Sequence, residues 1–223
     1  MQKILAFDVY GTLIDTAGVF LSLQRMVGDK SAVLTELWRS KQLEYSFRRG
    51  LMQNYADFSV CTRQALEYCC VALNVALSHT QKDQLLAEYR NLPAFADAVP
   101  GLKKLQGGDC RLFAFSNGRR DDVRDLLSRA GIIDYFEDIV SCDEIQSFKP
   151  NPAVYAHFLR RAASAGCDSW MVSGNSFDVL GALSAGMRAA WVKRSDRAVL
   201  DPWDMSPTLT VAGLGDLADL LAG

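Results

Sequence analysis

The chain has 223 residues, of which 49% are hydrophobic and 22% are charged, and its formal net charge is −2. A chain of this composition folds into a globular protein with room for one full core and a smaller accessory unit. The balanced charge argues against nucleic acid or an acidic membrane surface as a partner and favours a small molecule. The first apolar run, residues 4–7, is too short for a signal peptide or a membrane span. We therefore expect a cytoplasmic protein.

Short apolar segments rich in β-forming residues recur along the chain and predict strands. They occupy residues 4–7, 111–115, 138–140, 170–173 and 189–192, and a strand-like TLTV precedes a terminal helix near the end. The later strands alternate with amphipathic segments that predict helices over residues 119–130, 152–165 and 176–186. Near-continuous apolar strands alternating with helices are typical of a parallel sheet covered on both faces. The sequence therefore predicts the α/β class, with a doubly wound, Rossmann-like parallel sheet as its core.

Residues 16–98 interrupt this alternation, because they show helical periodicity and no convincing strand. About eighty residues are too many for a loop inside a compact domain. The sequence therefore predicts a helical cap subdomain over residues 16–98, inserted after the first strand, and a core built from residues 1–15 and 99–223. The residues spaced as one core-facing helix stripe in the insertion are Leu34, Leu37, Trp38 and Tyr45.

Polar residues stand at the ends of the predicted strands or in the turns that follow. They are Asp8, Ser116-Asn117-Gly118, Lys149-Pro150, and Ser173-Gly174-Asn175 with Asp178 in the next turn. In an open parallel sheet, ligands bind in the crevice at the carboxyl ends of the strands. Helix capping is the alternative explanation, since Ser116 or Asn117 could cap a helix that begins at Arg119, and Asn151 one that begins at Pro152. Four polar strand ends together favour a functional site.

Four motifs carry a resemblance to a known family. DVYGTL, FSNG, SFKPNPAVY and SGNSFD, in this order and spacing, resemble the motifs of the haloacid dehalogenase superfamily over essentially the whole chain. The inserted stretch LWRSKQLEYSFRRGLM is similar to the L-2-haloacid dehalogenases in particular. The resemblance implies a hydrolase that removes halide from short (S)-2-haloalkanoic acids and yields (R)-2-hydroxy acids. It also implies a homodimer.

The resemblance makes Asp8 the nucleophile. Asp8 is ionised at neutral pH, since the ordinary pKa of aspartate is roughly 3.9, and it would expel halide from C2 of the substrate and form an ester that water then hydrolyses. Tyr10 stands where the superfamily phosphatases carry a second aspartate that protonates the leaving alcohol, and a departing halide needs no proton. Asp8 with Asn175 and the single acid Asp178 is a thin ligand set for a divalent cation. We therefore expect neither a metal nor another cofactor.

The other motif residues receive roles around Asp8. Lys149 would be the counter-charge of Asp8 and of the oxyanion formed in the second step, and Thr12 would hydrogen-bond Asp8. The groups expected to hold the substrate carboxylate are the Ser116 hydroxyl and the backbone N–H groups of Val9 and Tyr10. The residues expected to orient and activate the water are Ser173, Asn175 and Asp178, with help from Tyr155.

Departure of halide needs a pocket rich in donors, to which the sheet contributes Asn117. Arg39, Leu43 and Phe47 are spaced at i, i+4 and i+8, so one helix face could bring a guanidinium and apolar side chains over the site as a lid. The alternative is a surface arginine paired with Glu36. The side chains expected to complete the apolar wall around the alkyl group are Tyr10, Phe58 and Phe177.

Three positions depart from the best-known family pattern. Ser40 stands in place of a glutamine, Gly174 in place of a serine, and Phe177 in place of a tryptophan. These positions shape the wall, so the sequence leaves substrate size and choice open. Three other functions compete with dehalogenation: opening of an azetidine-2-carboxylate ring by the same nucleophile, a magnesium-dependent phosphatase, and a non-catalytic binding protein on the same scaffold.

Overall fold

The chain folds around one six-stranded sheet, in a computed structural model that describes residues 2–222. Every pair of neighbouring strands is parallel, and the spatial order is β3-β2-β1-β4-β5-β6. The strands are β1 (Lys3–Phe7), β2 (Cys110–Ser116), β3 (Asp138–Ser141), β4 (Ser169–Ser173), β5 (Arg188–Val192) and β6 (Leu209–Val211). The predicted α/β class and doubly wound parallel sheet are confirmed, and the strand-like TLTV is the edge strand β6.

The α-helices surround this sheet. They are α1 (Phe20–Val27), α2 (Ser31–Met52), α3 (Phe58–Ala72), α4 (His79–Tyr89), α5 (Ala98–Gln106), α6 (Arg120–Arg129), α7 (Pro152–Arg161), α8 (Ser176–Ser184) and α9 (Leu214–Ala222). The predicted helices over 119–130, 152–165 and 176–186 correspond to α6, α7 and α8, each slightly shorter than its apolar periodicity. Among residues 2–222, no helix is both long and apolar enough to cross a membrane.

Strand β1 lies at the centre of the sheet, and its position determines where a ligand can bind. Leu5, Ala6 and Phe7 have no exposed surface, because β2 and β4 pair with β1 on its two sides. From β1 the chain builds outwards first towards β3 and later towards β6, so the strand order reverses beside β1. Ligands of open α/β sheets bind in the crevice outside the carboxyl ends of the strands at such a reversal. Asp8 follows the last residue of β1 directly.

The stretch between β1 and β2, where the sequence predicts a helical insertion, contains helices and no strand of the sheet. Leu34 and Trp38 of the predicted stripe are fully or almost fully buried on α2, which packs against α3. The first residues after the predicted cap, 99–101, lie inside α5, which packs on α9. We propose to keep the boundaries of 16–98 for the cap and of 1–15 with 99–223 for the core.

The chain leaves and re-enters the core through two paired segments. The Asp15 N–H donates to the Pro93 carbonyl at 2.9 Å, and the Phe95 N–H donates to the Leu13 carbonyl at 2.9 Å. Residues 13–15 and 93–95 therefore form a short antiparallel connection immediately after the turn that follows Asp8.

The contact between α5 and α9 generates a prediction about stability. A methyl group added at Gly101 would overlap the Cβ of Leu214 and approach its backbone, so the Gly101→Ala variant has to separate the two helices. We expect it to lower the free energy of unfolding by about 2 kcal/mol, the usual cost of overpacking a core. The measurement is urea denaturation followed by circular dichroism. Gly215→Ala is the control, because nothing lies within 4 Å of the added carbon; equal stability of the two variants would contradict the prediction.

Candidate active site

A buried lysine joins two carboxylates at the carboxyl end of the sheet. The Lys149 Nζ donates to Asp8 Oδ1 at 3.2 Å, to Asp178 Oδ2 at 2.8 Å and to the Phe115 carbonyl at 2.8 Å. The side chain of Lys149 is only 1% exposed and that of Asp178 has no exposed surface. All three ammonium donors therefore have acceptors inside the protein, as a buried charge requires.

Burial and charge shift the pKa values in this group. The pKa of Asp178 is raised to about 6, and burial is the largest cause. The Asp8 charge also raises this pKa, while Lys149 and Tyr155 lower it. For Lys149 burial acts to lower the pKa, but the carboxylates of Asp178 and Asp8 outweigh burial and the pKa is raised. At neutral pH, Lys149 is therefore protonated and Asp178 is largely ionised, with a pKa near that of an effective general base.

The two oxygens of Asp8 have unequal surroundings. Oδ2 accepts three hydrogen bonds, from the Thr12 hydroxyl at 2.8 Å, the Ser173 hydroxyl at 3.1 Å and the Asn175 amide at 2.6 Å. Oδ1 accepts one, from Lys149. The side chain of Asp8 is 10% exposed. Oδ2 is thus held in place, while Oδ1 keeps a lone pair for a reacting atom.

Tyr155 acts on Asp178 rather than on Asp8. Its hydroxyl donates to Asp178 Oδ1 at 2.8 Å, and its ring is fully buried on α7. A Cβ at Gly181 would overlap this hydroxyl, so the glycine leaves the space that lets α7 and α8 approach. Both oxygens of Asp178 consequently carry a donor, one from Lys149 and one from Tyr155.

Several donors beside Asp8 have no acceptor among residues 2–222. The N–H groups of Val9 and Tyr10 donate to no described residue, and neither does the side-chain amide nitrogen of Asn117. The Ser116 hydroxyl accepts from the Gly118 N–H at 3.1 Å and retains its own proton as a donor. These are the groups that the sequence predicts as carboxylate and halide contacts, and they are available to donate.

The structure contains one of the two helix caps that the sequence offered as alternatives. Arg119 is the N-cap of α6 and has no side-chain cap bond, so neither Ser116 nor Asn117 caps that helix. Asn117 Oδ1 instead accepts from the Lys149 N–H at 2.9 Å, which ties the β2 end to the lysine segment. Asn151 does cap α7, with Pro152 at the first position.

Arg39 of α2 reaches the sheet edge. Its Nη2 donates to the Tyr10 carbonyl at 3.2 Å and to Asn175 Oδ1 at 3.4 Å, so Asn175 connects Arg39 to Asp8. Gly11, at φ +82°, makes the turn beneath this contact. Among the described residues, no ion pair joins Arg39 to Glu36, so the surface-pair alternative is not what the structure contains.

Sequence reasoning missed Gln42. Its Oε1 accepts from Arg39 Nη1 at 2.7 Å and from the Tyr89 hydroxyl at 3.0 Å, and its nitrogen donates to the Thr62 hydroxyl at 2.6 Å. Gln42 is completely buried, and it fixes the direction of the Arg39 side chain. The sequence contains one signal that could have identified Gln42: it is a polar residue three positions after Arg39, on a helix face that also carries core residues.

Aromatic side chains surround the site on the cap side. The Tyr10 ring lies 5.7 Å from that of Phe58, and the Phe47 ring meets Phe177 edge-on at 5.0 Å. Leu43 lies one turn after Arg39 and is half-buried. Ser40 is exposed and lines an outer cavity, so the structure does not bring it to the carboxylates.

Three cavities are lined by residues of the site other than Asp8. A cavity of about 200 Å³ is lined by Tyr10 and Phe58 and has guanidinium groups at its edge, those of Arg63, Arg90 and Arg119. A second, of about 520 Å³, borders Arg39 on its outer side. A third, of about 610 Å³, is mostly apolar and is lined by Lys149 and Phe177.

The side chains that could act as metal ligands at this site do not fit magnesium. Mg²⁺ prefers several oxygen ligands with carboxylates among them. The carboxylates that meet here are Asp8 and Asp178, and both already accept from the Lys149 ammonium. Within residues 2–222 no group of three or more His, Cys, Asp and Glu side chains could hold a metal ion.

Comparison with known proteins agrees with the fold. Residues 2–186 match the family of haloacid dehalogenase-like hydrolases. The chain is 33% identical over 223 residues to (S)-2-haloacid dehalogenase 2 of Pseudomonas sp. (strain CBS-3), covering 99% of this chain and 97% of that protein. It is 32% identical to (S)-2-haloacid dehalogenase H-109 of Pseudomonas putida, covering 99% of each.

A solved structure extends the similarity to three dimensions. The L-2-haloacid dehalogenase of Xanthobacter autotrophicus with chloropropionic acid covalently bound is 31% identical, with a TM-score of 0.92, covering 100% of this chain and 99% of that chain. The match of the family to residues 2–186, together with 33% identity to a relative over almost the whole chain, shows that this chain belongs to the haloacid dehalogenase-like hydrolase family. The predicted family resemblance is confirmed.

The contact between Tyr155 and Asp178 can be tested without any substrate. The Tyr155 hydrogen bond lowers the pKa of Asp178, so Tyr155→Phe is expected to raise that pKa above its value of about 6. The measurement is a ¹³C NMR titration of the Asp178 carboxyl group. Tyr55→Phe is the control, because Tyr55 donates in the same manner to Asp143 at 2.6 Å. An Asp178 pKa that is unchanged or lower in Tyr155→Phe would contradict the assigned contact.

Proposed function

We propose that this chain hydrolyses short (S)-2-haloalkanoic acids to (R)-2-hydroxy acids and halide through an ester on Asp8. The observation that carries the proposal is the unequal hydrogen bonding of the two Asp8 oxygens. One oxygen is held by three donors and the other is left for reaction. This is the arrangement that a carboxylate nucleophile needs if its ester is to be hydrolysed afterwards.

In the first step, Asp8 Oδ1 attacks C2 of the substrate from the side opposite the halogen. The C2–halogen bond breaks with its electron pair, so halide departs without a proton and the configuration at C2 inverts. The unpaired N–H groups of Val9 and Tyr10 and the Ser116 hydroxyl hold the substrate carboxylate. Their fixed geometry aligns the reacting atoms before attack.

The halide leaves towards Arg39 and Asn117. Arg39 is held by Gln42 and by the Tyr10 carbonyl, so its positive charge lies beside the catalytic edge before the substrate arrives. Asn117 Nδ2 adds a neutral donor. The rings of Phe58 and Phe177 keep water from the departing ion, which strengthens both interactions.

In the second step, Oδ2 of Asp8 is the carbonyl oxygen of the ester. Water attacks the adjacent carbon, and negative charge develops on Oδ2, where Thr12, Ser173 and Asn175 already donate. These three groups form an oxyanion hole that requires no rearrangement. This revises the sequence-based expectation, which assigned Ser173 and Asn175 to the water. Collapse of the intermediate breaks the bond between the Asp8 carboxyl carbon and Oδ1, and the departing oxygen takes from Asp178 the proton that came from the water. The 2-hydroxy acid leaves with Oδ1, the remaining proton passes to solvent, and the Asp8 carboxylate is restored with one oxygen from water.

Asp178 is the base that accepts a proton from the attacking water. Its pKa of about 6 leaves it ionised at neutral pH yet basic enough for the transfer. Lys149 remains protonated, because the two carboxylates raise its pKa. Lys149 thus balances the charge of Asp8 before reaction and that of the developing oxyanion afterwards.

The substrate class follows from the relatives and the local chemistry. The similar proteins act on (S)-2-haloacids, and one similar structure carries covalently bound chloropropionic acid. The aromatic wall of Tyr10, Phe58 and Phe177 suits a short alkyl group, and the mismatch with magnesium supports a reaction without metal. The proposal includes a homodimer, as the family resemblance of the sequence implies, and a cytoplasmic location, as the sequence led us to expect.

Chloride release tests this function directly. In excess EDTA, the wild-type protein should release chloride from L-2-chloropropionate and not from the D enantiomer, whereas Asp8→Asn should reduce release to background. Asp109→Asn, an exposed aspartate in the turn before β2, serves as the control. In a single turnover in ¹⁸O water, the label should enter Asp8 and not the hydroxy acid.

Each opposite result overturns a defined part of the proposal. Activity that is lost in EDTA and restored by magnesium would contradict the metal-free reaction. Label appearing first in the hydroxy acid would exclude the ester. Consumption of azetidine-2-carboxylate without any halide release from haloacids would assign the nucleophile to ring opening.

The role of Asp178 predicts a trapped intermediate. Asp178→Asn should still form the ester but lose its hydrolysis, so intact-protein mass spectrometry should show a protein one propionate unit heavier after exposure to L-2-chloropropionate. In the wild type, the rate of ester hydrolysis should fall about tenfold per pH unit below 6, because Asp178 then becomes protonated. Asp143→Asn is the control and should turn over normally. Full turnover by Asp178→Asn would remove Asp178 from the mechanism.

A further inference from the structure

Arg194, two residues beyond β5, connects three parts of the chain. Its Nε and Nη2 donate to the Thr12 carbonyl at 3.1 and 2.5 Å, and its Nη1 donates to both oxygens of Asp97 at 2.7 Å. The guanidinium also lies 4.3 Å from the centre of the Phe95 ring. The Arg194 side chain is 14% exposed, so water competes little with these bonds. We refer to Arg194, Asp97 and the Thr12 carbonyl as the clamp.

One end of the clamp holds the turn that carries the nucleophile. Thr12 donates through its hydroxyl to Asp8 Oδ2 and accepts at that hydroxyl from the Gly174 N–H at 2.8 Å. A displacement of the Thr12 backbone would therefore move a donor away from Asp8. Arg194 fixes that backbone by donating two hydrogen bonds to the Thr12 carbonyl.

The other end of the clamp holds the segment through which the chain returns from the cap. Asp97 accepts the Leu214 N–H at 2.8 Å besides Arg194, so the C-terminal helix also fixes it. Phe95, beneath the guanidinium, pairs with the outgoing segment at Leu13. Both paired segments, residues 13–15 and 93–95, thus lie within four residues of Thr12 or Asp97.

Gly174 provides the space that the clamp needs. A Cβ at this position would overlap the Gly11 carbonyl and come within 3.3 Å of Arg194 Cγ. The glycine at 174, where the family pattern has serine, therefore allows the nucleophile turn and the Arg194 stem to lie against the end of β4. This gives a structural reason for a departure that the sequence left unexplained.

We propose that the Arg194–Asp97 clamp is a positioning device for catalysis. It holds the Thr12 turn so that the three donors stay on Asp8 Oδ2, and it holds the returning cap segment so that Arg39 keeps its bonds to the Tyr10 carbonyl and to Asn175. Arginine is required, because a lysine ammonium is a point donor that cannot span the Thr12 carbonyl and the Asp97 carboxylate as a fork. The expected effect on kcat rests on the proposed function. The expected effect on amide exchange rests on the contacts alone.

The test compares two arginines of similar local structure. Arg111 pairs with both oxygens of Glu137 at 2.7 and 2.5 Å and lies 5.1 Å from the Phe113 ring, at the opposite end of the sheet from Asp8. Arg194→Lys should lower kcat for chloride release about 10- to 100-fold with little change in KM, as expected when reacting groups are misplaced by a fraction of an ångström to one ångström. Arg111→Lys should keep kcat within about twofold of the wild-type value.

Hydrogen exchange followed by mass spectrometry provides the readout that does not depend on activity. In Arg194→Lys, the amides of residues 9–15 and 94–98 should exchange faster, while those of α7 stay protected. Asp97→Asn, which keeps the Thr12 bonds, should show the faster exchange mainly over 94–98 and a smaller loss of kcat. The Asp97→Asn variant also tests the clamp if the Arg194→Lys variant does not fold.

The possible outcomes distinguish a failure of the clamp from a failure of the proposed function. Wild-type kcat with unchanged exchange in both variants would overturn the clamp. A lower melting temperature with wild-type kcat in both variants would show a structural role only, which also overturns it. If the wild-type protein releases no halide, the proposed function fails, and the exchange measurement still decides whether Arg194 holds the two segments.

Discussion

The buried ammonium of Lys149 is the interaction on which the site depends. It joins the residue after β1, the end of β2 and the start of α8 through Asp8, the Phe115 carbonyl and Asp178. Removing one partner of a buried ion pair typically costs about 3–5 kcal/mol, because the remaining charges are left without compensation. The same charge holds two carboxylates close together in one buried site. The lysine therefore stabilises the sheet edge and prepares it for chemistry.

Around that charge, the two oxygens of Asp8 have separate functions. Three neutral donors from two different strand ends meet at Oδ2, while Oδ1 faces the lysine alone. A carboxylate surrounded equally on both sides would lose nucleophilicity, and one left free on both sides would not be aligned. The protein resolves this conflict by binding one oxygen and exposing the other.

The cap contributes through a connected set of contacts. Gln42, buried between α2, α3 and α4, directs Arg39 towards Asn175, which itself donates to Asp8. The chain crosses between cap and core beside Arg194, which also holds the Thr12 turn. The position of the cap and the position of the nucleophile are thus linked by hydrogen bonds, and Gly174 leaves the space in which these elements meet.

The sequence by itself determined the fold class, the helical insertion and the strand ends at which chemistry occurs. Apolar runs with a period of two or 3.6 residues, and polar residues that stop them, are local properties of the chain. The motif at Asp8 also identified the family. The sequence did not reveal Gln42 or Arg194, and it assigned Ser173 and Asn175 to water rather than to Asp8 Oδ2. Those contacts join residues more than a hundred positions apart or depend on which way a side chain turns. Only the register of β1 against β4, and the packing of the cap on the core, decide them.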